Sequence, residues 1–119
     1  MINDPNNITR DIIGSALRIH AAIGPGIFET VYRTILADDL RTKGYFVEME
    51  KEVPIVFEGR RFERGFRADI LVQNSILVEA KSLTELAPVH FTQVVTYLRL
   101  LDLRIGLLLN FGSDRKSVV

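Results

Sequence analysis

Apolar residues in the first part of the chain recur at the three- and four-residue spacing of amphipathic helices. The spacing predicts a first helix that is capped by Thr9 and broken at Gly24-Pro25-Gly26. Its apolar positions are Ile12, Ile13, Ala16, Leu17, Ile19 and Ala22. A second helix is predicted from Ile27 to Lys43, because Gly44 stands where a helix C-terminus usually has glycine. The chain therefore begins with two helices.

After Phe46 the period of the apolar residues changes to two, which is typical of β-strands. The pattern predicts a strand that includes Val53, Ile55 and Phe57, further strands at Phe62–Val72, Ile76–Lys81 and Arg104–Phe111, and a helix at Val89–Leu101. Short turns between consecutive strands favour antiparallel pairs, while a helical crossover allows a parallel partner. The predicted fold is α/β (α+β), a mixed sheet flanked by helices in the order α-α-β-β-β-α-β.

Composition narrows the class of protein and the kind of metal site. With 119 residues, of which 47% are hydrophobic and 25% charged, the chain is expected to form one globular domain over residues 1–119. It has no cysteine and only two histidines, His20 and His90, so carboxylates and a hard cation are favoured over zinc. No leader peptide or membrane-spanning run is apparent, so a cytoplasmic location without membrane contact is predicted.

One strand carries a charged pair that a buried strand does not need. In Glu79-Ala80-Lys81 the acid and the lysine face the same side, and the turn after Val72 places Asp69 near Glu79. Asp69, Glu79 and the carbonyl of Ala80 could hold Mg²⁺ or Mn²⁺, while Lys81 orients or deprotonates a water that attacks a phosphodiester. A solvated cross-strand charge pair explains the same residues without catalysis.

Three helical residues are candidates for the same site. Glu29 could be a third acid that reaches the metal or its water, although a first-turn glutamate also stabilises a helix through the dipole. Gln93 and Tyr97 are four residues apart on one helix face and could bind a phosphate oxygen or Lys81. The two histidines are interpreted as structural, hydrogen-bonded residues.

Local charge must supply any attraction to nucleic acid, because lysine plus arginine equal aspartate plus glutamate at 15 each. Arginines crowd the predicted hairpin at positions 60, 61, 64 and 67. Arg61 and Arg67 share one strand face and, with Tyr32, are the candidates for nucleic-acid contact. A charged edge strand that resists aggregation is the alternative interpretation, and no aromatic stacking platform is apparent.

Taken together, the motifs resemble a known protein family over nearly the whole chain. The residues that carry the resemblance are His20, Gly24–Tyr32, Arg67-Ala68-Asp69, Glu79-Ala80-Lys81, His90, Gln93, Tyr97 and Gly106–Gly112. They are similar to those of the GxxExxY protein family, which is placed in the PD-(D/E)XK nuclease superfamily with its restriction-endonuclease-like core. Ala68 stands where the superfamily motif often has proline.

The resemblance implies roles for individual residues. Asp69 and Glu79 would be metal ligands, Lys81 the catalytic lysine, Glu29 the acid of the first helix of the core, and Gln93 with Tyr97 the helix motif beside the site. The leading hypothesis is therefore a metal-dependent nuclease of DNA or RNA. The alternative is a catalytically silent module on the same fold that binds nucleic acid or a protein. A symmetric homodimer and a protein partner that supplies specificity are further expectations.

Overall fold

The computed structural model describes residues 3–112 and 117–118. In chain order its elements are α1 (Pro5–Ile23), α2 (Glu29–Thr42), β1 (Val47–Phe57), β2 (Arg60–Val72), β3 (Ile76–Lys81), α3 (Pro88–Leu101), β4 (Ile105–Asn110) and β5 (Ser117–Val118). The order predicted from periodicity is confirmed up to β4. The two-residue β5 was not predicted, since so short a strand has no measurable period.

The strands form one mixed sheet in the order β1-β2-β3-β4-β5. The β1–β2, β2–β3 and β4–β5 pairs are antiparallel, and β3–β4 is parallel. A parallel pair needs a crossover connection, which α3 provides between β3 and β4. The fold is therefore the predicted α+β architecture, consistent with a restriction-endonuclease-like core. Among the described residues, no helix combines the length and apolarity needed to cross a membrane.

Apolar side chains pack in two layers, one on each side of the sheet. The first core joins α1 and α2 to residues such as Ile70, Val78 and Leu109. The second core lies under α3 and includes Leu71, Leu77 and Leu108. Consecutive residues of β2 and β3 thus enter opposite layers, as strand geometry requires. In β4 the lack of a side chain at Gly106 lets α3 approach, because a Cβ there would lie 2.7 Å from Val94 Cγ1.

The helix starts differ from their predicted positions. α1 begins at Pro5, where Asp4 caps the helix by accepting a hydrogen bond from the Asn6 N–H at 2.9 Å, so the predicted Thr9 cap is wrong. Proline is favourable in the first turn because its missing N–H needs no partner there. α2 begins at Glu29 instead of Ile27. Gly44 follows α2 with φ 93°, which confirms the expected glycine stop.

The β1–β2 hairpin has a tight turn at its tip and a bulge within its strands. Its tight turn consists of Glu58 and Gly59, both with positive φ, which matches the twist of a two-residue hairpin. A bulge shifts the register between Val53 and Ile55, and Gly65 accommodates it, since a Cβ at Gly65 would lie 2.3 Å from Ile55 Cγ1. We call residues 55–62, beyond this bulge, the outer hairpin.

A second irregularity of β1 and β2 lies opposite the acidic residues. Glu50 has φ 50°, an unusual value for a non-glycine residue. In β2, Ile70 belongs to the first core, whereas Ala68, two residues earlier, belongs to the second core. On a regular strand, residues two apart would share one layer. The strand pair therefore changes its facing at Glu50 and Asp69. Asp69 consequently borders both layers of the molecule.

Candidate active site

The β2–β3 ladder ends one residue before the predicted acids. Backbone pairing runs from Val72↔Ile76 to Ile70↔Val78 and goes no further. Beyond it, the Asp69 N–H donates to Glu79 Oε2 at 2.8 Å, and the Ala80 N–H donates to Asp69 Oδ2 at 2.9 Å. Two carboxylates thus take the place of the next main-chain hydrogen bonds. Asp69 and Glu79 thus lie next to each other, as their spacing in the sequence predicts.

The carbonyl of Ala80 faces the gap between β2 and β3 in which the two carboxylates lie. The Lys81 carbonyl accepts from Phe111 N–H at 2.8 Å, so the main chain of Lys81 faces β4. Main-chain groups of successive strand residues point to opposite neighbours, and the Ala80 N–H already points to Asp69. The Ala80 C=O therefore opens toward β2, beside the two carboxylates. This direction agrees with its predicted role as a metal ligand.

The environment disfavours charge on both acids. Burial raises the pKa of Asp69 above its ordinary range, against the lowering effects of the Ala80 N–H and the charges of Arg33 and Lys81. Burial, followed by repulsion from Asp69, raises the pKa of Glu79 from 4.5 to about 7. Only 5% of Glu79 is exposed. A cation in the gap would relieve both the burial and the repulsion.

Arg33 is a site residue that the sequence analysis missed. Its Nη1 lies 3.2 Å from Asp69 Oδ1, and its Nη2 lies 3.0 Å from Glu50 Oε1. The side chain is 13% exposed, and Nε is buried without a hydrogen-bond partner among the described residues. The available signal was its position one helical turn after Glu29, on the same face of α2. Arg33 therefore forms an ion pair with Asp69 in this structure.

Lys81 is half-buried on the strand that carries Glu79. Its positive charge lowers the pKa of both Asp69 and Glu79, although burial outweighs this effect. Within the part of the chain that the structure describes, its ammonium forms no ion pair within 4 Å. The ammonium is therefore close enough to act on the acids and is not held by either one.

Glu29 lies at the first turn of α2, near the end of β3. Its Oε1 accepts a hydrogen bond from the Ser82 N–H at 3.3 Å, and its charge raises the pKa of Asp69. An open cavity of about 330 Å³ is lined by Ile27, Phe28, Glu29, Thr30 and Ser82. However, among residues 3–112 and 117–118 no three acidic or histidine side chains gather closely enough to hold a metal. Glu29 is thus adjacent to the acid pair without joining it.

One member of the predicted pair on α3, Tyr97, lies near the acids. Burial raises the pKa of Tyr97, and the negative charges of Glu79 and Asp69 raise it further. Its ring stacks on Phe66 with 4.1 Å between ring centroids. Gln93 is half-buried one turn earlier on α3 and forms no hydrogen bond with another described residue. Tyr97 is therefore close to the acids, and the structure shows no contact between Gln93 and either acid among the described residues.

The structure contradicts one predicted nucleic-acid contact. Tyr32 is completely buried, its hydroxyl donates to the Gly24 carbonyl, and its ring stacks on Phe111 at 4.5 Å. The aromatic ring fills the first core because α2 turns this face inward. Arg61 and Arg67 are exposed as expected, and they pair with Glu63 at 2.6 Å and with Glu50 at 3.7 Å, respectively.

A buried amide fixes the chain that leaves the site. Asn110 is 5% exposed, and its Oδ1 accepts from the N–H groups of Leu83 and Gly112 at 3.0 Å. Its Nδ2 donates to the Leu83 carbonyl at 2.9 Å. His90, which was interpreted as structural, accepts a hydrogen bond from Ala87 N–H through Nδ1 at 2.8 Å. These contacts anchor the segment between Lys81 and α3.

The donor set fits a hard divalent cation. One buried carboxylate, one half-buried carboxylate and one carbonyl oxygen face the gap, and burial raises the pKa of Glu79 to about 7. Mg²⁺ is commonly held by one or two carboxylates, with water and substrate oxygens completing its shell. A third protein carboxylate is not required. The residues present are therefore compatible with magnesium or manganese.

Comparison with known proteins identifies the class. Residues 6–119 match the PD-(D/E)XK nuclease superfamily, which is nearly the whole chain. The chain belongs to this superfamily. Searches of curated proteins and of solved structures return no significant match. The family assignment supports nuclease chemistry, nucleic acid as a ligand and use of a divalent metal ion, without naming a substrate.

Proposed function

We propose that the protein is a metal-dependent nuclease that hydrolyses phosphodiester bonds of DNA or RNA. Asp69, Glu79 and the Ala80 carbonyl would hold Mg²⁺ or Mn²⁺, with Glu29 acting through a water. The bound ion would neutralise phosphate charge and lower the pKa of a water. The observation that carries the proposal is the gap between β2 and β3 in which Asp69 and Glu79 replace the ladder.

The chain's own residues would do the remaining work. Lys81 would orient the attacking water or accept its proton, and its ammonium form would stabilise charge that develops on the phosphate. Gln93 and Tyr97 would hydrogen-bond a phosphate oxygen or Lys81. Arg33 would hold Asp69 while no metal is bound.

The direct test is cleavage of labelled single-stranded and double-stranded DNA and RNA with Mg²⁺, with Mn²⁺ and with EDTA. We expect cleavage by the wild-type protein with either ion and none with EDTA. Glu79→Gln should abolish cleavage and weaken metal binding in calorimetry, because a neutral amide is a poor ligand. Asp38→Asn, at an exposed acid on α2 away from the site, is the matched control. An unchanged binding isotherm for Glu79→Gln would place the metal elsewhere.

Lys81 has a separate test. Lys81→Ala should lower metal-dependent cleavage by about 100-fold or more, the size of effect seen when one group that stabilises transition-state charge is lost. The melting temperature should stay near that of the wild type because Lys81 forms no ion pair among the described residues. Lys51→Ala on β1 is the control for loss of a lysine. Full turnover by Lys81→Ala would remove this residue from the mechanism.

A second candidate function is a non-catalytic module that binds nucleic acid or a protein. The Arg33–Asp69 ion pair favours it, since Arg33 supplies a positive charge without a metal. In that case no substrate would be cleaved under any metal condition, and Glu79→Gln would bind nucleic acid as the wild type does.

Several expectations from the sequence stay predictions: membership of the GxxExxY family, one domain over residues 1–119, a cytoplasmic location, a homodimer and a protein partner.

A further inference from the structure

The outer hairpin exposes aromatic rings that the sequence analysis did not recognise as a platform. Phe57 is 62% exposed and Phe62 is 46% exposed. The guanidinium of Arg60 lies 5.5 Å from the centroid of the Phe62 ring. An exposed aromatic ring lacks the favourable free energy of burial away from water. Two exposed rings close to an arginine therefore indicate a binding surface.

The two rings lie on one face of the hairpin. In the register beyond the bulge, Ile55 is opposite Phe62 and Phe57 is opposite Arg60. Residues directly opposite in an antiparallel pair share a face, and so do residues two apart on one strand. Ile55, Phe57, Arg60 and Phe62 therefore form a single apolar and cationic strip.

This strip leads back to the acidic site. Val53, Ile55 and Phe57 follow each other at two-residue spacing on β1, and Val53 packs in the second core with Phe66. Phe66 in turn stacks on Tyr97, which is near enough to Glu79 and Asp69 to feel their charges. From Phe66 to Arg60 the strand covers about 20 Å at roughly 3.3 Å per residue. The strip thus extends from the site to the hairpin tip.

The charge of the hairpin favours a polyanion. Arginines at positions 60, 61, 64 and 67 face only two carboxylates within residues 55–67, those of Glu58 and Glu63. Glu63 already pairs with Arg61, and Arg67 pairs with Glu50. Among the described residues, Arg60 and Arg64 form no ion pair. Two cations are therefore available for phosphates along an aromatic strip, the combination that binds single strands.

We propose that the outer hairpin is a binding arm for single-stranded nucleic acid, with bases stacked on Phe57 and Phe62 and phosphates bound by Arg60 and by Arg64, which follows the outer hairpin on β2. The inference rests on the proposed function, because it names the strand form that reaches the acidic site. Stacking on an aromatic ring tolerates any base, so the arm reads strandedness instead of sequence. A duplex hides its base faces and would use only the arginines.

The test is binding by the Glu79→Gln protein in EDTA, which prevents cleavage. Fluorescence anisotropy would follow labelled oligothymidine, oligouridine and a duplex, each about 16 nucleotides long to cover a single-domain site. We expect Phe57→Ala and Phe62→Ala each to weaken single-strand binding by about 5- to 100-fold and duplex binding by less than twofold. Arg60→Ala should lower the salt dependence of binding by about one ion. Comparing the two oligomers shows whether DNA or RNA is the tighter ligand.

Matched controls come from the same chain. Phe46 is 55% exposed at the opposite end of β1, so Phe46→Ala should bind as the parent does. Arg10→Ala on α1 is the control for the arginine variant and should also bind as the parent does. Equal binding by Phe57→Ala, Phe62→Ala and the parent would overturn the proposal, as would an equal loss for duplex and single strand. A dimer that these variants convert to monomers in light scattering would overturn it too, by making the strip a contact between copies.

Failure of this inference can be separated from failure of the nuclease. If the wild type cleaves nucleic acid and the hairpin variants bind normally, the arm is wrong and the active site stands. If no metal supports cleavage while the hairpin variants lose single-strand binding, the nuclease is wrong and the arm serves a binding module. Binding and cleavage are measured on the same oligonucleotides, so each comparison has its own readout.

Discussion

The strands β2 and β3 are joined in two different ways within a few residues. From Ile70 to Val72 they pair with Val78 to Ile76 through a regular ladder, and the side chains there are fully or almost fully buried. One residue further on, Asp69 and Glu79 connect the strands through carboxylates whose charged forms burial disfavours. The ladder half stabilises the fold, and the carboxylate half holds polar groups at a cost in stability. Changes in the two halves should therefore have opposite consequences.

The largest expected effect on stability lies in the ladder half. Leu77 on β3 is fully buried in the second core, so Leu77→Ala should destabilise the protein by about 2–5 kcal/mol through loss of burial and a residual cavity. Urea unfolding followed by circular dichroism measures this change. An unfolding free energy equal to that of the wild type would show that the ladder half does not carry the core.

In the carboxylate half we expect the free energy of unfolding to decrease as the pH rises. An acid whose pKa is lowered in the fold would make it increase instead. Because the pKa of Glu79 is about 7 in the fold and 4.5 as an ordinary value, only the native state keeps the proton between these values. Stability is therefore full below pH 4.5 and decreases as the pH rises through 7. At 1.36 kcal/mol for each pKa difference of one, the loss is about 3 kcal/mol.

Glu79→Gln isolates this effect. In EDTA the glutamine variant should be more stable than the wild type at pH 8 and similar to it at pH 4.5, since the amide stays neutral and can still accept the Asp69 N–H. Urea unfolding at several pH values gives the difference. If the unfolding free energies of the two proteins followed parallel pH profiles, the pKa of Glu79 would not be raised in the fold.

A smaller effect is expected at Arg33, which links α2 to the gap. Arg33→Gln removes the charge beside Asp69 and should lower stability in EDTA by about 2 kcal/mol, the cost of weakening hydrogen bonds to a charged group. It should also tighten Mg²⁺ binding in calorimetry, because one positive charge no longer repels the ion. Arg18→Gln, an exposed ion pair on α1, is the control. Weaker Mg²⁺ binding would show that Arg33 positions Asp69 instead of competing with the metal.

Much of the acidic pair was predictable from local sequence. The three-residue turn after Val72 makes Asp69 and Glu79 equidistant from Asn74, so an antiparallel pair must bring them together. The helical crossover in the β3–α3–β4 segment likewise allows a parallel pair, and the structure has one. These features depend on spacing along the chain, and spacing is what a sequence displays directly.

The remaining parts of the site depend on tertiary placement. Arg33 reaches Asp69 only because α2 lies over the end of β2, and no local pattern states where a helix lies on a sheet. The positive φ of Glu50 has no sequence signature, so the change of facing at Asp69 could not be predicted. Tyr32 was misjudged because an aromatic ring on a helix can turn inward or outward, and only the packing of Phe111 decides which.

The Asn110 contacts indicate where this fold can change its length in evolution. The amide binds Leu83 on both its N–H and its C=O, and a Cβ at Gly112 would lie 2.1 Å from Leu83 N, so an inserted residue on either side would break a fitted contact. The turn at Glu58 and Gly59 has no such neighbour, and a Cβ at Gly59 would meet nothing within 4 Å. Extra residues are therefore accommodated more easily at the hairpin tip than beside Asn110.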